Sequence, residues 1–133
     1  MLRAIADTHT AIWYIYNNPR LSSPARTFIE AAATAGDSIG VSAITFAEIT
    51  YLIEKGRIEP GVFARLSTEL DQPGAVLEEQ PFTRQVAAVL SRIDRNEVPD
   101  MPDRIIAATA LHAGVPVISR DRKIRLSTVP TIW

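Results

Sequence analysis

Hydrophobic positions fall along this chain in short runs separated by longer periodic segments. The runs over residues 2–6, 38–41, 75–77 and 115–119 are too short for helices and predict buried strands, with a last short strand over 131–133. Between them, apolar residues recur at helical spacing. A helix is predicted over 8–16, with Ala11, Ile12, Ile15 and Tyr16 on one side. Ser23-Pro24 opens another, because Ser caps free N–H groups and Pro suits the first helical turn; it runs to about Thr34. Ser42 is read as the cap of a helix through Lys55, which Gly56 stops. Further helices are expected over 60–70, 83–93 and 103–113, the last ended by Gly114. Asn17-Asn18-Pro19, Gln72-Pro73-Gly74 and Val98-Pro99-Asp100 punctuate these segments as turns.

Short apolar strands alternating with helices predict an α/β fold: a three-layer sandwich around a mostly parallel sheet, in one domain over residues 1–133. In such sheets ligands bind outside the carboxyl ends of the strands. Composition narrows the chemistry there. The chain has no cysteine and two histidines, so disulfides, thiolate zinc sites and cysteine nucleophiles are excluded. No secretory signal and no apolar run of membrane-spanning length is visible, and a cytoplasmic location with no membrane association is the expectation. The net charge of -1 hides an asymmetry: residues 1–83 are acidic on balance and residues 84–133 basic. That is compatible with an anionic partner on one face.

Four carboxylates stand out against this frame. Asp7 ends the first strand and Asp121 follows the strand over 115–119. Asp7 could simply cap the next helix, and Asp121 could simply occupy a turn among Arg120, Arg122 and Lys123. Glu48 is harder to explain so, because Ile44 and Leu52 flank it four residues either way and place it in an apolar stripe. Asp103 opens the helix over 103–113, where the helix dipole favours an acid, and Asp100 stands three residues before it with capping spacing. The fold rule gathers all four positions around one crevice. Carboxylates crowded there repel each other, and a hard divalent cation with oxygen ligands, Mg²⁺ or Mn²⁺, relieves that repulsion.

Four segments in order resemble the PIN-domain family, in particular its VapC-type toxin ribonucleases: Ile5-Ala6-Asp7-Thr8-His9-Thr10, Val41-Ser42-Ala43 leading to Ala47-Glu48-Ile49, Pro102-Asp103-Arg104-Ile105-Ile106-Ala107-Ala108-Thr109-Ala110, and Val117-Ile118-Ser119-Arg120-Asp121. The resemblance spans nearly the whole chain. It implies that Asp7, Glu48, Asp103 and Asp121 form an acidic quartet binding Mg²⁺ or Mn²⁺, with Ser119 as a polar neighbour. It also implies RNA cleavage, a small antitoxin protein as partner, and a homodimer. The chain departs from the pattern at Asp100-Met101-Pro102-Asp103, where relatives often place Pro directly after the first Asp; Asp100 is left without a role.

Among the remaining residues, Arg120, Arg122 and Lys123 are the candidates for RNA phosphate contacts, a solvated turn being the plainer reading. His9 is expected on the surface of the first turn, within reach of substrate, and His112 in a structural place at a helix end. Trp13, Tyr14 and Tyr16 read mainly as core. Two other functions fit parts of the pattern: an aspartyl-phosphate phosphatase using Asp7, and a catalytically inactive PIN-like fold serving as a protein-binding module. The first is weakened by His9, which stands where such enzymes carry a second Asp.

Overall fold

The computed structural model describes residues 1–125 and 127–133. Five strands form one sheet: β1 (Leu2–Ala6), β2 (Ser38–Ser42), β3 (Leu77–Gln80), β4 (Val117–Ile118) and β5 (Thr131–Ile132). Their order is β3-β2-β1-β4-β5, and every pairing is parallel. The helices are α1 (Thr8–Ile15), α2 (Ser23–Thr34), α3 (Ile44–Glu54), α4 (Val62–Asp71), α5 (Arg84–Val89), α6 (Met101–Ala113) and α7 (Arg122–Arg125). The chain winds outward from β1 through β2 to β3, then returns to the other side of β1 for β4. The carboxyl ends of β1 and β4 therefore flank the point where the winding reverses, which is where such sheets open a crevice.

Side-chain alternation on β1 builds the layers. Ala4 and Ala6 join a core with Ile12, Ile29, Val41 and Leu66, so α1, α2 and α4 cover that face. Ile5 points the other way, into a core with Ile106, Ala107, Val117 and Ile124 beneath α6. Gly40 on β2 sits where the side chains of the neighbouring strands leave no room for one of its own. A Cβ there would stand 2.6 Å from the Ile5 side chain and 2.8 Å from that of Gln80.

Several boundaries differ from the sequence expectation, each for a local reason. The third strand is Leu77–Gln80, later than the expected 75–77; Glu78 and Glu79 are accepted because β3 is an edge strand with water on one side. Ser42 closes β2 and does not cap α3, although its hydroxyl accepts from the Ile44 N–H at 3.3 Å. The helix expected over 60–70 is α4, Val62–Asp71. The one expected over 83–93 stops at Val89 and tightens into a 3-10 turn, Leu90–Arg92, where Arg104 donates to the carbonyls of Leu90 (2.9 Å) and Ile93 (3.2 Å). The strand over 115–119 pairs only at Val117 and Ile118. The helix α6 begins at Met101 with Asp100 as its cap, so Asp103 lies in its first turn and does not open it. Gly114 ends α6 in the left-handed region, φ +70°, as the sequence suggests. The short helix α7 has no counterpart in the sequence expectation.

Candidate metal centre

Asp7 leaves β1 at the reversal point and caps α1: its Oδ1 accepts from the Thr10 N–H at 2.9 Å. Its Oδ2 accepts from the Ser119 hydroxyl. The same Ser119 oxygen accepts from the Asp121 N–H at 2.9 Å, so one buried hydroxyl joins the ends of β1 and β4. Asp7 therefore is the helix cap that its sequence position suggests and a member of the cleft as well. It is 7% exposed, and burial pushes its carboxyl above the ordinary range against the lowering effect of these hydrogen bonds.

Glu48 projects from α3 across to the first turn of α1. Its Oε1 accepts from the Thr8 hydroxyl at 2.5 Å. With its one proton so committed, Thr8 accepts from Thr45 at 3.1 Å. This buried pair of threonines aims Glu48 into the cleft, and nothing in the local sequence announces it. Glu48 is half-buried and its carboxyl is raised, first by burial, with Asp100 and Asp7 adding to the rise.

Asp103, in the first turn of α6, is half-buried beside the same acids. Burial and then the charges of Asp100, Asp121, Glu48 and Asp7 push it up to about 7. Asp100, which the sequence leaves without a role, belongs to this cluster. Its Oδ2 accepts from the Asp103 N–H at 3.4 Å, and Glu48, Asp100 and Asp103 each offer an oxygen within 4.8 Å of the others. The usable signal is its place as cap of the helix that carries Asp103. Asp121 sits just before α7, its Oδ1 accepting from the Lys123 N–H at 2.8 Å.

These groups enclose a cleft of about 200 Å³ lined by Asp7, Glu48, Asp103 and Asp121 together with Thr8, His9, Trp13 and Arg120. All four acids expected from sequence thus reach one cavity. The basic trio is divided. Arg120 lines the cleft with its guanidinium 4.7 Å from the centre of the Trp13 ring, whereas Arg122 and Lys123 are exposed on α7 outside the lining. His9 is exposed as expected, yet its ring packs on Trp13 at 5.5 Å and forms part of the wall. A larger cavity, about 450 Å³ between α4 and β3, lies elsewhere, lined by residues such as Leu70, Asp71, Glu78 and Glu79.

The donors suit a hard divalent cation. They are carboxylate oxygens in buried or part-buried surroundings, and those of Glu48 and Asp103, with the exposed Asp100, are close enough to share one ion. Burial is the first cause that raises the Asp7, Glu48 and Asp103 carboxyls, and at Glu48 and Asp103 neighbouring carboxylates add a repulsion that a cation would relieve. With one imidazole on the wall and no thiolate in the chain, the set lacks the nitrogen and sulfur ligands typical of zinc.

A parallel sheet in this order, with acids from β1, α3, α6 and the β4 end meeting at its reversal point, defines a PIN domain, and the chain belongs to that family: the PIN domain model matches residues 4–128. Across the full length of both chains it is 30% identical, over 136 residues, to ribonuclease VapC22 of Mycobacterium tuberculosis (strain ATCC 25618 / H37Rv). Its fold is shared with a chain of VapBC2 from Rickettsia felis, solved bound to a DNA fragment from their promoter (TM-score 0.70, 18% identity, 98% of this chain and 97% of that one). It is shared also with chains of a toxin-antitoxin complex from Klebsiella pneumoniae (TM-score 0.65, 20% identity, 98% and 96%) and of FitAcB from Neisseria gonorrhoeae (TM-score 0.60, 22% identity, 96% and 95%). Family membership replaces the phosphatase reading.

Proposed function

We propose that this chain is a divalent-metal-dependent endoribonuclease, the toxin of a toxin–antitoxin pair, hydrolysing RNA phosphodiester bonds in the cleft at the sheet reversal. The carrying observation is the convergence of Asp7, Glu48, Asp103 and Asp121 on one cavity. The full-length relative named a ribonuclease and the fold shared with toxin–antitoxin complexes support the reading. An idle protein-binding module has no need of this many carboxylates in part-buried surroundings.

Asp7, Glu48, Asp103 and Asp121 would hold Mg²⁺ or Mn²⁺, with Asp100 at the rim of the same cluster. When bound, such an ion lowers the pKa of a water and offsets charge on the scissile phosphate. Ser119 fixes the Asp7 carboxylate from behind and ties it to the Asp121 backbone. Glu48, oriented by Thr8 and with its carboxyl raised above the ordinary range, would use the oxygen Thr8 leaves free either as a ligand that orients the metal-bound water or, from just outside the metal's shell, to accept that water's proton. Arg120 contacts a phosphate of the strand, and Arg122 and Lys123 contact phosphates farther along it. A small antitoxin protein and a second copy of this chain are its partners. Among the described residues no helix is long and apolar enough to cross a membrane, and we place the activity in the cytoplasm.

The test is incubation of total cellular RNA with purified protein in Mg²⁺, in Mn²⁺ and in EDTA, followed by mapping of fragment ends. Discrete metal-dependent cuts are expected. Absence of cutting with either ion, or equal cutting in EDTA, overturns the reading.

A further inference from the structure

Beside the metal cleft lies a second cavity of about 320 Å³, within the range of small-molecule pockets of about 300–1,000 Å³. The two share a wall, because His9 and Trp13 line both. The floor of the second cavity is apolar, formed in part by Ile12 and Ile58, and its rim carries Asn18, Arg20 and Arg57 together with one carboxylate, Glu59. A flat apolar group with a polar edge suits such a lining.

The rim groups are available. Asn18 uses its Oδ1 to accept from the Arg20 N–H at 2.9 Å, and its side-chain NH₂ has no partner among the described residues. The ion pairs among those residues are both made by Asp37, far in sequence from Arg20 and Arg57, which are exposed. His9 rests on Trp13 and keeps an exposed face at the junction of the two cavities.

We infer that this cavity is a nucleobase subsite, taking the base of a nucleotide next to the scissile phosphate and so setting where the strand is cut. The inference rests on the ribonuclease reading. A phosphate held in the cleft carries its neighbouring base past the His9–Trp13 wall into the adjoining cavity that the same wall lines. There the base ring meets His9 and the apolar floor, its edge meets the Asn18 NH₂, and Arg20 and Arg57 meet the phosphates of the strand as it leaves. Stacking is tolerant of base identity, whereas the Asn18 contact discriminates between edges.

Short RNAs carrying a single mapped cut site, with an abasic nucleotide at each position flanking the cut in turn, test this. Wild-type kcat/KM is expected to fall about tenfold at one flanking position, within what one stacked base contributes. In Ile58→Trp, which fills the cavity, that penalty is expected to shrink below about threefold. Asn18→Ala, at a partly exposed position, is expected to reduce the preference among bases at the same position while keeping the abasic penalty. Circular dichroism checks that both variants fold. If no flanking position carries a penalty, or if Ile58→Trp retains it, the inference is overturned and the cavity is left to a protein partner. Should the wild type cut no RNA at all, binding of adenosine and uridine 5′-monophosphates decides the matter separately, by NMR of the Asn18 side-chain amide and the His9 ring. Shifts present in wild type and absent in Ile58→Trp keep the subsite and reject the nuclease; unmoved signals reject both.

Discussion

At the edge of the sheet where β1 and β2 begin, Asp37 accepts from the N-terminal ammonium of Met1 at 3.1 Å and from Arg3 Nε at 2.6 Å. The ammonium first and then the guanidinium hold its carboxyl below the ordinary range. At the opposite edge, where the same strands end, Asp7, Glu48 and Asp103 are all pushed above it. The residue types are alike and only the surroundings differ. One edge pairs its acid with cations already in the chain; the other gathers acids and leaves their charge for something outside it. Acids left uncompensated at the carboxyl ends of parallel strands make that end the candidate site, and an acid paired with cations at the amino end needs no role beyond structure.

The sharpest way to break this contrast is to neutralise one acid at each edge. Asp7→Asn and Asp103→Asn each remove a carboxylate charge from the cleft while keeping shape. RNA cleavage is expected to fall more than about 100-fold, beyond what loss of an outer-shell partner costs. Asp37→Asn is expected to cleave at the wild-type rate. Circular dichroism reports whether each variant folds, and a wild-type rate in folded Asp7→Asn or Asp103→Asn would remove that residue from the site.

A cation should act on one edge only. Mg²⁺ or Mn²⁺ at a hundredfold excess over its dissociation constant stabilises the native state by about 2.7 kcal/mol, roughly a 10 °C rise in Tm for a chain of this size. In Glu48→Gln that rise is expected to fall by roughly half, which corresponds to a tenfold loss of affinity. The metal-free Tm of the same variant should increase, because one of the repelling charges is gone. Thermal melts with and without the ion measure both. An unchanged metal response places Glu48 outside the coordination sphere.

The two edges should also titrate in opposite senses. The folded pKa of Asp103, about 7, lies above its unfolded value of 3.8. Its contribution is therefore full below pH 3.8 and is lost as pH rises through 7, and the raised carboxyls of Asp7 and Glu48 act in the same direction. Asp37 is depressed, so its contribution is present above its ordinary pKa and lost on acidification below it. Between pH 5 and pH 8 in EDTA the acidic cleft dominates, and Tm is expected to fall. Because Asp103 is half-buried, solvent screening limits the effect to about 1 kcal/mol, roughly 3–6 °C. Asp103→Asn should flatten this slope, and saturating Mg²⁺ should do the same. A slope that Asp103→Asn leaves intact assigns the titration to other groups.

The strand ends of this cleft are legible in the sequence because apolar runs stop abruptly at Asp7 and before Asp121, and parallel-sheet topology gives those stops a common location. Glu48 is legible because an acid inside an apolar stripe needs a reason. What stays hidden depends on contacts between distant segments. Thr8 finds Glu48 and Thr45 across some 40 positions of chain, and Ser119 finds Asp7 across 112. Asp100 is obscured because the apolar periodicity starts its helix too late, at Asp103. The third strand is displaced because Glu78 and Glu79 read as polar loop, and only an edge position makes them tolerable in a strand.

The smallest expected effect concerns the basic residues around Asp121, which follow one another in sequence and part company in space. Arg120 turns into the cleft against the Trp13 face, whereas Arg122 and Lys123 are exposed on α7. A guanidinium held by an aromatic face keeps its N–H groups free for a phosphate, whereas the α7 pair, outside the cleft lining, would meet only a strand that has left it. For a single strand, each phosphate that the protein neutralises adds about 0.7 to the slope of log affinity against log salt. Arg120→Gln is therefore expected to reduce the slope by about 0.7 and to lower kcat/KM as well. Adding Arg122→Gln and Lys123→Gln should bring the total reduction to about 2, with little further change in the cleavage step. The measurement is RNA binding across a salt series with Ca²⁺ replacing Mg²⁺, alongside cleavage kinetics in Mg²⁺. If the slope stays constant when Arg122 and Lys123 are changed, their charge serves α7 or a protein partner. If it stays constant for Arg120→Gln too, the cation on the Trp13 face is a structural brace, and the acidic edge must bind its phosphate without help from the protein's own positive charge.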